Sequence, residues 1–189
     1  MGEALEWLKE YQAVRSQDVV GRRLPTRPLS VAGQQALVDL LVRPDSRFVE
    51  FVDSLWRRLP PRVRQWIPRF PPGRGRVMLV GSALIELPAT VELRRQLLEA
   101  AMRPGAARPV IAAQIANGHW PIQPELFPWL ERLAEHPDPQ LRAHAGAMLR
   151  GISPSDPRVD RLLERMRQDQ VSVVRESTRP SDAADRTVP

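Results

Sequence analysis

The chain lacks cysteine altogether, has Lys9 as its single lysine and Tyr11 as its single tyrosine, and draws only 5% of its 189 residues from the aromatics. Without cysteine there can be no disulfide, thiolate nucleophile or cysteine-held metal. No run of about 18 apolar residues occurs, so no segment reads as a membrane-spanning helix. The opening stretch MGEALEWLKEYQAV carries acids where a signal peptide carries a basic region and an apolar core. A cytoplasmic protein without integral membrane association is the expectation. Apolar alternation of period two is missing along the sequence, which excludes a sheet-based fold and leaves the all-α class. Phosphate-binding, dinucleotide and nucleophile-elbow fingerprints are absent, and Gly73-Arg74-Gly75 is too short and too proline-flanked to cradle a phosphate. His119, His136 and His144 show no ligand spacing, so no metal is expected, and no other cofactor is called for.

What the chain has in abundance is proline, 20 residues, placed at regular intervals rather than in a low-complexity run. Arg103 to Glu135 aligns over His136 to Gln168 without a gap, so that position 103 answers to 136 and position 135 to 168. Pro104 meets Pro137, Gly118 meets Gly151, Pro121 meets Pro154, and Pro124 meets Pro157. Leu130-Glu131-Arg132 meets Leu163-Glu164-Arg165, and Pro71 extends the series upstream. A fixed period of this length marks stacked helical hairpins. It predicts first helices over about 76–86, 107–117 and 139–150, and second helices over about 91–102, 124–135 and 157–168. The inward positions of the second helices recur as Leu93, Leu126 and Val159, as Leu97, Leu130 and Leu163, and as Ala100, Leu133 and Met166. Each stripe is too narrow to be stable alone, so neighbouring hairpins must cover it. Leu79, Ala112 and Ala145 are the matching small or aliphatic positions of the first helices. A further first helix is predicted within 171–178, with Val174-Arg175 lying one period beyond Leu141-Arg142.

The punctuation supports the same hairpins. Asp138-Pro139 and Asp156-Pro157 each place a capping carboxylate before a proline at the first helical position, where the missing N–H costs nothing. Gly118 and Gly151 fall just past first helices, where a left-handed residue is expected. Upstream of Pro71 the period fades. Helices are predicted there over 3–14, 31–43 (capped by Ser30), 47–58 and 63–67, with a basic connector over 15–30. The expected organisation is a helical N-terminal cap region over 1–70, repeats over 71–178, and a polar disordered tail over 179–189.

The segment HPDPQLRAHAGAMLRGI resembles the HEAT-like repeat, in the short form associated with phycobiliprotein lyases. Asp138, Pro139, Leu141, Arg142, Ala145, Leu149 and Gly151 carry the likeness, and Val174 and Arg175 carry part of it. Gly105 to Pro109 departs from the pattern, with neither the aspartate nor the arginine. The likeness covers roughly 71–178. It implies a right-handed α-solenoid of stacked hairpins serving as a recognition surface, with second helices on its concave side. It also implies that Asp138 and Arg142 are structural, tying adjacent repeats, while Asp156 is read as a structural cap from its place before Pro157. A fold alone licenses no activity.

The net charge of +6 is carried almost wholly by arginine, which GC-rich coding explains as readily as selection for bidentate contacts. Between Ser54 and Ile85 lie seven arginines and no acid, so the rest of the chain sums to −1. Arg57, Arg58, Arg62, Arg64 and Arg69 are interleaved there with Trp56, Trp66 and Phe70. Such a segment suits an acidic protein partner, a nucleic-acid backbone or anionic lipid, or it is a solvated rim around capping aromatics. The residues expected to bind a partner are Arg57, Arg58, Arg62, Arg64, Trp66 and Arg69, with Arg95, Arg132, Arg161 and Arg165 on second helices. The leading expectation is a non-catalytic scaffold or adaptor for a protein partner, expected to be acidic by charge complementarity. The alternative is a nucleic-acid binder, up to a DNA glycosylase-like enzyme. Trp129 with Glu125 or Glu131, near Arg132 and Arg165, is the nearest approach to such a catalytic constellation, although Trp129 aligns with Gln96 and Leu162 at a packing position.

Overall fold

Two compact units, Met1–Ile115 and Ala116–Pro189, divide the computed structural model of the chain. The structure describes residues 2–17, 28–42, 74–88, 90–106, 108–118, 122–152 and 156–179. Among the described residues there are nine α-helices and one 3-10 turn. The predicted helices over 47–58 and 63–67, the boundary at 70/71 and all but the first residue of the predicted tail lie outside the described residues.

In the first unit, α1 (Gly2–Gln17) and α2 (Val31–Val42) form the N-terminal part, followed by α3 (Arg74–Glu86) and α4 (Val91–Ala101). Ala4, Trp7, Leu8 and Tyr11 are buried along one side of α1, at the spacing a helical stripe requires. The Trp7 and Tyr11 rings stack with centroids 5.4 Å apart. The entry to α2 is fixed by Ser30, whose Oγ accepts from the Gly33 N–H at 3.0 Å and so supplies an N-cap. Glu3 in turn accepts from the Ser30 N–H at 3.0 Å and from its Oγ at 2.6 Å, tying α1 to the start of α2. Helix α2 packs against α1, α3 and α4. It does so through Leu37, Val38, Leu41 and Val42, each at most 2% exposed. At α4, Thr90 caps the Leu93 N–H at 3.1 Å, and Leu93, Leu97 and Ala100 face inward. Arg103 meets Asp39 of α2 at 2.8 Å.

Helix α5 (Pro109–Asn117) contains the division between the units. The turn before it holds Gly105 at φ 71°, the one positive-φ glycine among the described residues. Gly151 leaves its helix differently from the left-handed exit expected. Its N–H donates to Met148 at 2.8 Å and the next N–H, of Ile152, donates to Leu149 at 3.2 Å. Tightening the last turn in this 3-10 manner satisfies the terminal carbonyls without a left-handed residue.

The second unit contains a 3-10 turn at Pro124–Leu126, α6 (Phe127–Ala134), α7 (Pro139–Leu149), α8 (Pro157–Arg167) and α9 (Ser172–Ser177). The helix expected over 124–135 is thus split, and Pro128 gives the reason. An α-helical bond to the Pro124 carbonyl would need the N–H that Pro128 lacks, so that carbonyl accepts from Phe127 instead. Packed pairs are α6 with α7 and α8, α7 with α8 and α9, and α8 with α9. Leu126, Leu130 and Leu133 are fully buried, and Val159, Leu163 and Met166 nearly so. Asp138 caps α7 by accepting from the Gln140 N–H, and Asp156 caps α8 from the Arg158 N–H, both at 2.8 Å.

The sequence period reaches down to individual hydrogen bonds. Arg142 Nη1 donates to the carbonyls of His136 and Pro137, both at 3.0 Å. Arg175, one period on, donates from Nη1 to the carbonyls of Asp169 and Gln170 at 2.7 and 2.9 Å, the equivalent pair. The Asp138 N–H donates to His136 Nδ1 at 3.0 Å, and the equivalent Val171 N–H donates to Asp169 Oδ1 at 2.8 Å. Arg142 also grips Asp169 with Nε and Nη2 at 2.9 and 3.0 Å, joining the start of α7 to the start of α9. The segments preceding α6 and α8 are linked too, because the Ile122 N–H donates to the Gly151 carbonyl at 3.2 Å. Gly146 lets α7 approach its neighbours closely. A Cβ there would run into Ser177 Oγ and lie 3.2 Å from Met166 Cε.

Candidate functional site

In the second unit the exposed sides of α6 and α8 border an open groove of about 730 Å³. Phe127, Pro128 and Glu131 line it from α6, and Arg158, Arg161, Leu162, Glu164 and Arg165 from α8. Phe127 and Leu162 are 5% and 3% exposed, so they present only their edges to the groove floor. The α8 wall exists because Asp156 and Pro157 start that helix cleanly and Val159, Leu163 and Met166, buried away from the groove, anchor it. Those anchors rotate positions 158, 161 and 165 outward, one turn apart.

The three arginines of this wall differ in how firmly they are held. Arg158 forms a 2.6 Å ion pair with Asp156, and its guanidinium lies over the Phe127 ring at 4.7 Å from the centroid. The hydrogen bonds from Arg158, side chain first and then backbone, hold the Asp156 carboxyl below its ordinary range. Arg165 reaches Glu135 only at 3.8 Å, with both side chains more than 60% exposed, so the pair is weak. For Arg161, no carboxylate lies within ion-pair distance among the described residues. Glu164 is drawn away by Arg167 at 2.7 Å, whereas Glu131 remains on the α6 wall.

Of the second-helix arginines singled out from sequence, the structure brings Arg161 and Arg165 together. Arg132 is exposed on α6 but does not line the groove. Arg95 belongs to the first unit, where it is clasped by Glu92 and Glu99 on its own helix, each at 2.6 Å. The hydrogen bonds to those two carboxylates, Glu92 first, raise the guanidinium pKa above its ordinary value. Arg57, Arg58, Arg62, Arg64, Trp66 and Arg69 lie outside the described residues. Asp138, Arg142 and Asp156 occupy the capping and junction positions already described. Of the tryptophan–carboxylate constellation, Glu131 and Arg165 line the groove while Trp129, Glu125 and Arg132 do not.

Sequence reasoning missed Arg158 and Phe127. Arg158 precedes Arg161 by three residues and Arg165 by seven, a spacing that places all three on one helix face. Phe127 was hidden because its period-mates are Arg94 and Asp160, so no apolar column marks it. Arg94 itself was also overlooked; it is 2% exposed, and burial pushes its guanidinium pKa down. His144 is half-buried on α7, and burial likewise lowers its imidazole pKa. Among the described residues, no three His, Cys, Asp or Glu side chains converge as a metal site would require, and no helix is long and apolar enough to cross a membrane.

No protein-family model matches the chain, and neither a curated protein nor a solved structure matches it.

Proposed function

We propose that this protein is a non-catalytic scaffold, a HEAT-like α-solenoid whose second-helix surface receives a protein partner. The observation that carries the reading is the groove between α6 and α8, two second helices in consecutive periods, with Arg161 and Arg165 turned into it. Support for the solenoid comes from the equivalent carbonyl clamps of Arg142 and Arg175 and from the helix pairs α6 with α8 and α7 with α9. A groove built this way is set before its ligand arrives, so little ordering cost is added on binding. The arginine-rich segment over 54–85 would act as a second contact and steer an acidic partner electrostatically.

The test is partner recovery on the immobilised full chain, followed by Arg161→Glu/Arg165→Glu. The scaffold reading expects a specific partner to be retained by the native chain and lost from the variant, while the helical circular dichroism spectrum is unchanged. In parallel, generic duplex and single-stranded DNA are titrated at low and moderate salt. Tight binding that falls steeply with salt, and that weakens on Arg62→Glu/Arg64→Glu, would replace the scaffold reading with nucleic-acid binding.

A further inference from the structure

We infer that the groove between α6 and α8 binds an extended peptide in which two acidic residues flank a basic one. This rests on the scaffold reading and names the chemistry of its ligand. Arg161 and Arg165 are four residues apart on α8, an axial separation of about 6 Å. In an extended chain, residues i and i+2 point the same way and are separated by about 7 Å. Two carboxylates at i and i+2 therefore meet the two arginines without bending the peptide. Both guanidiniums are available, since Arg161 has no carboxylate within ion-pair distance among the described residues and Arg165 holds Glu135 only at 3.8 Å.

The residue at i+1 points to the opposite wall, where Glu131 stands. A basic side chain is favoured there and a third acid is repelled. The mixed signs of the two walls also disfavour a nucleic-acid backbone, whose phosphates are all negative. Arg158, fixed by Asp156 and stacked on Phe127, closes one end of the groove. Its length along α8, from position 158 to 165, is about 10 Å, room for the three residues named.

The experiment measures fluorescence anisotropy of three labelled synthetic nonapeptides with the full chain. They share Gly/Ser flanks and carry a central Glu-Lys-Glu, Lys-Glu-Lys or Glu-Glu-Glu. Glu-Lys-Glu is expected to bind about tenfold more tightly than Lys-Glu-Lys, and more tightly than Glu-Glu-Glu. Arg161→Glu/Arg165→Glu should invert the first preference, Arg161→Gln/Arg165→Gln should narrow it to what Glu131 alone supplies, and Glu131→Gln should narrow the gap to Glu-Glu-Glu. Equal binding of the three peptides, or a preference untouched by the arginine changes, overturns the inference. If a recovered protein partner still depends on Arg161 and Arg165 while the peptides are not distinguished, the peptide chemistry is wrong and the scaffold reading stands. If that partner ignores both arginines, the scaffold reading of the groove fails with it.

Discussion

Replacing Arg142 by methionine keeps much of the side-chain volume and removes every polar contact that its guanidinium makes at the starts of α7 and α9. Four hydrogen bonds are lost, two to the Asp169 carboxylate and two to the carbonyls of His136 and Pro137. Arg142 and Asp169 are 16% and 17% exposed, so the pair is shielded yet still touches water. A hydrogen bond to a charged group contributes about 1.5–3 kcal/mol, and water replaces part of what is removed. Asp169 also keeps its bond from the Val171 N–H at 2.8 Å, so it is not stranded. The net cost should be about 2–3 kcal/mol. With a urea dependence of about 2 kcal/mol per molar, the unfolding midpoint should fall by about 1 M. The pH dependence gives an independent handle. Arg142 chiefly holds the Asp169 carboxyl below its ordinary value, so the folded state takes up its proton at lower pH than the unfolded chain does. That stabilisation is complete above the unfolded carboxylate value of about 4 and is lost as pH falls through the folded value. Arg142→Met should therefore flatten the decline of the urea midpoint between neutral pH and acid. Urea melts by circular dichroism at several pH values, with hydrogen exchange of the α7 and α9 amides to localise the effect, measure both. A midpoint shift below about 0.2 M with the acid slope unchanged would refute the reasoning.

Other substitutions probe other links. Gly146→Ala should destabilise the chain in a urea melt although alanine is the better helix former, because the new Cβ meets Ser177 Oγ; Gly146→Ala/Ser177→Ala should recover part of the loss. Leu130→Ala empties a fully buried position of the α6 stripe and should cost about 2–5 kcal/mol in the same melt. Pro128→Ala restores the N–H that the Pro124 carbonyl lacks, so amide chemical shifts should report continuous α-helix through 124–134.

Much of the fold could be read in advance because proline and aspartate act locally. Asp156 followed by Pro157 fixes the start of α8 whatever surrounds it, and the helix predicted over 157–168 runs 157–167. The recurring inward positions were legible for the same reason, since a stripe of period 3.6 is written into one segment. The split before α6 was not, although its cause, Pro128, is local: the alignment paired 124–135 with an unbroken helix and drew attention away from the missing N–H. The groove was half legible. Arg161 and Arg165 stand out as repeated surface charge, but Phe127 lies in a column with Arg94 and Asp160, and only packing makes it a groove residue. Arg95 shows the converse limit. It lies two periods before Arg161, at the same place in the repeat, yet Glu92 and Glu99 at adjacent turns occupy its guanidinium.

The junction and the groove are physically one problem. The groove walls come from α6 and α8, which belong to consecutive periods, so their separation is set chiefly by how those periods pack, with Arg158 over Phe127 and the 3.8 Å Arg165–Glu135 pair as the contacts between them. Helix α7 touches both walls and also α9. Arg142 and Asp169 hold the α7–α9 end of that arrangement, and the bond from Ile122 to Gly151 holds the segments preceding α6 and α8. A ligand that needs a fixed spacing between Arg161 and Glu131 would then be sensitive to Arg142, which touches neither. Loosening the junction should weaken such a ligand by raising the cost of ordering the walls, without altering which charges it prefers. Arg142→Met would thus lower affinity for all peptides in proportion, whereas Arg161→Glu/Arg165→Glu would change their order. That contrast separates a residue that shapes the groove from residues that read what enters it.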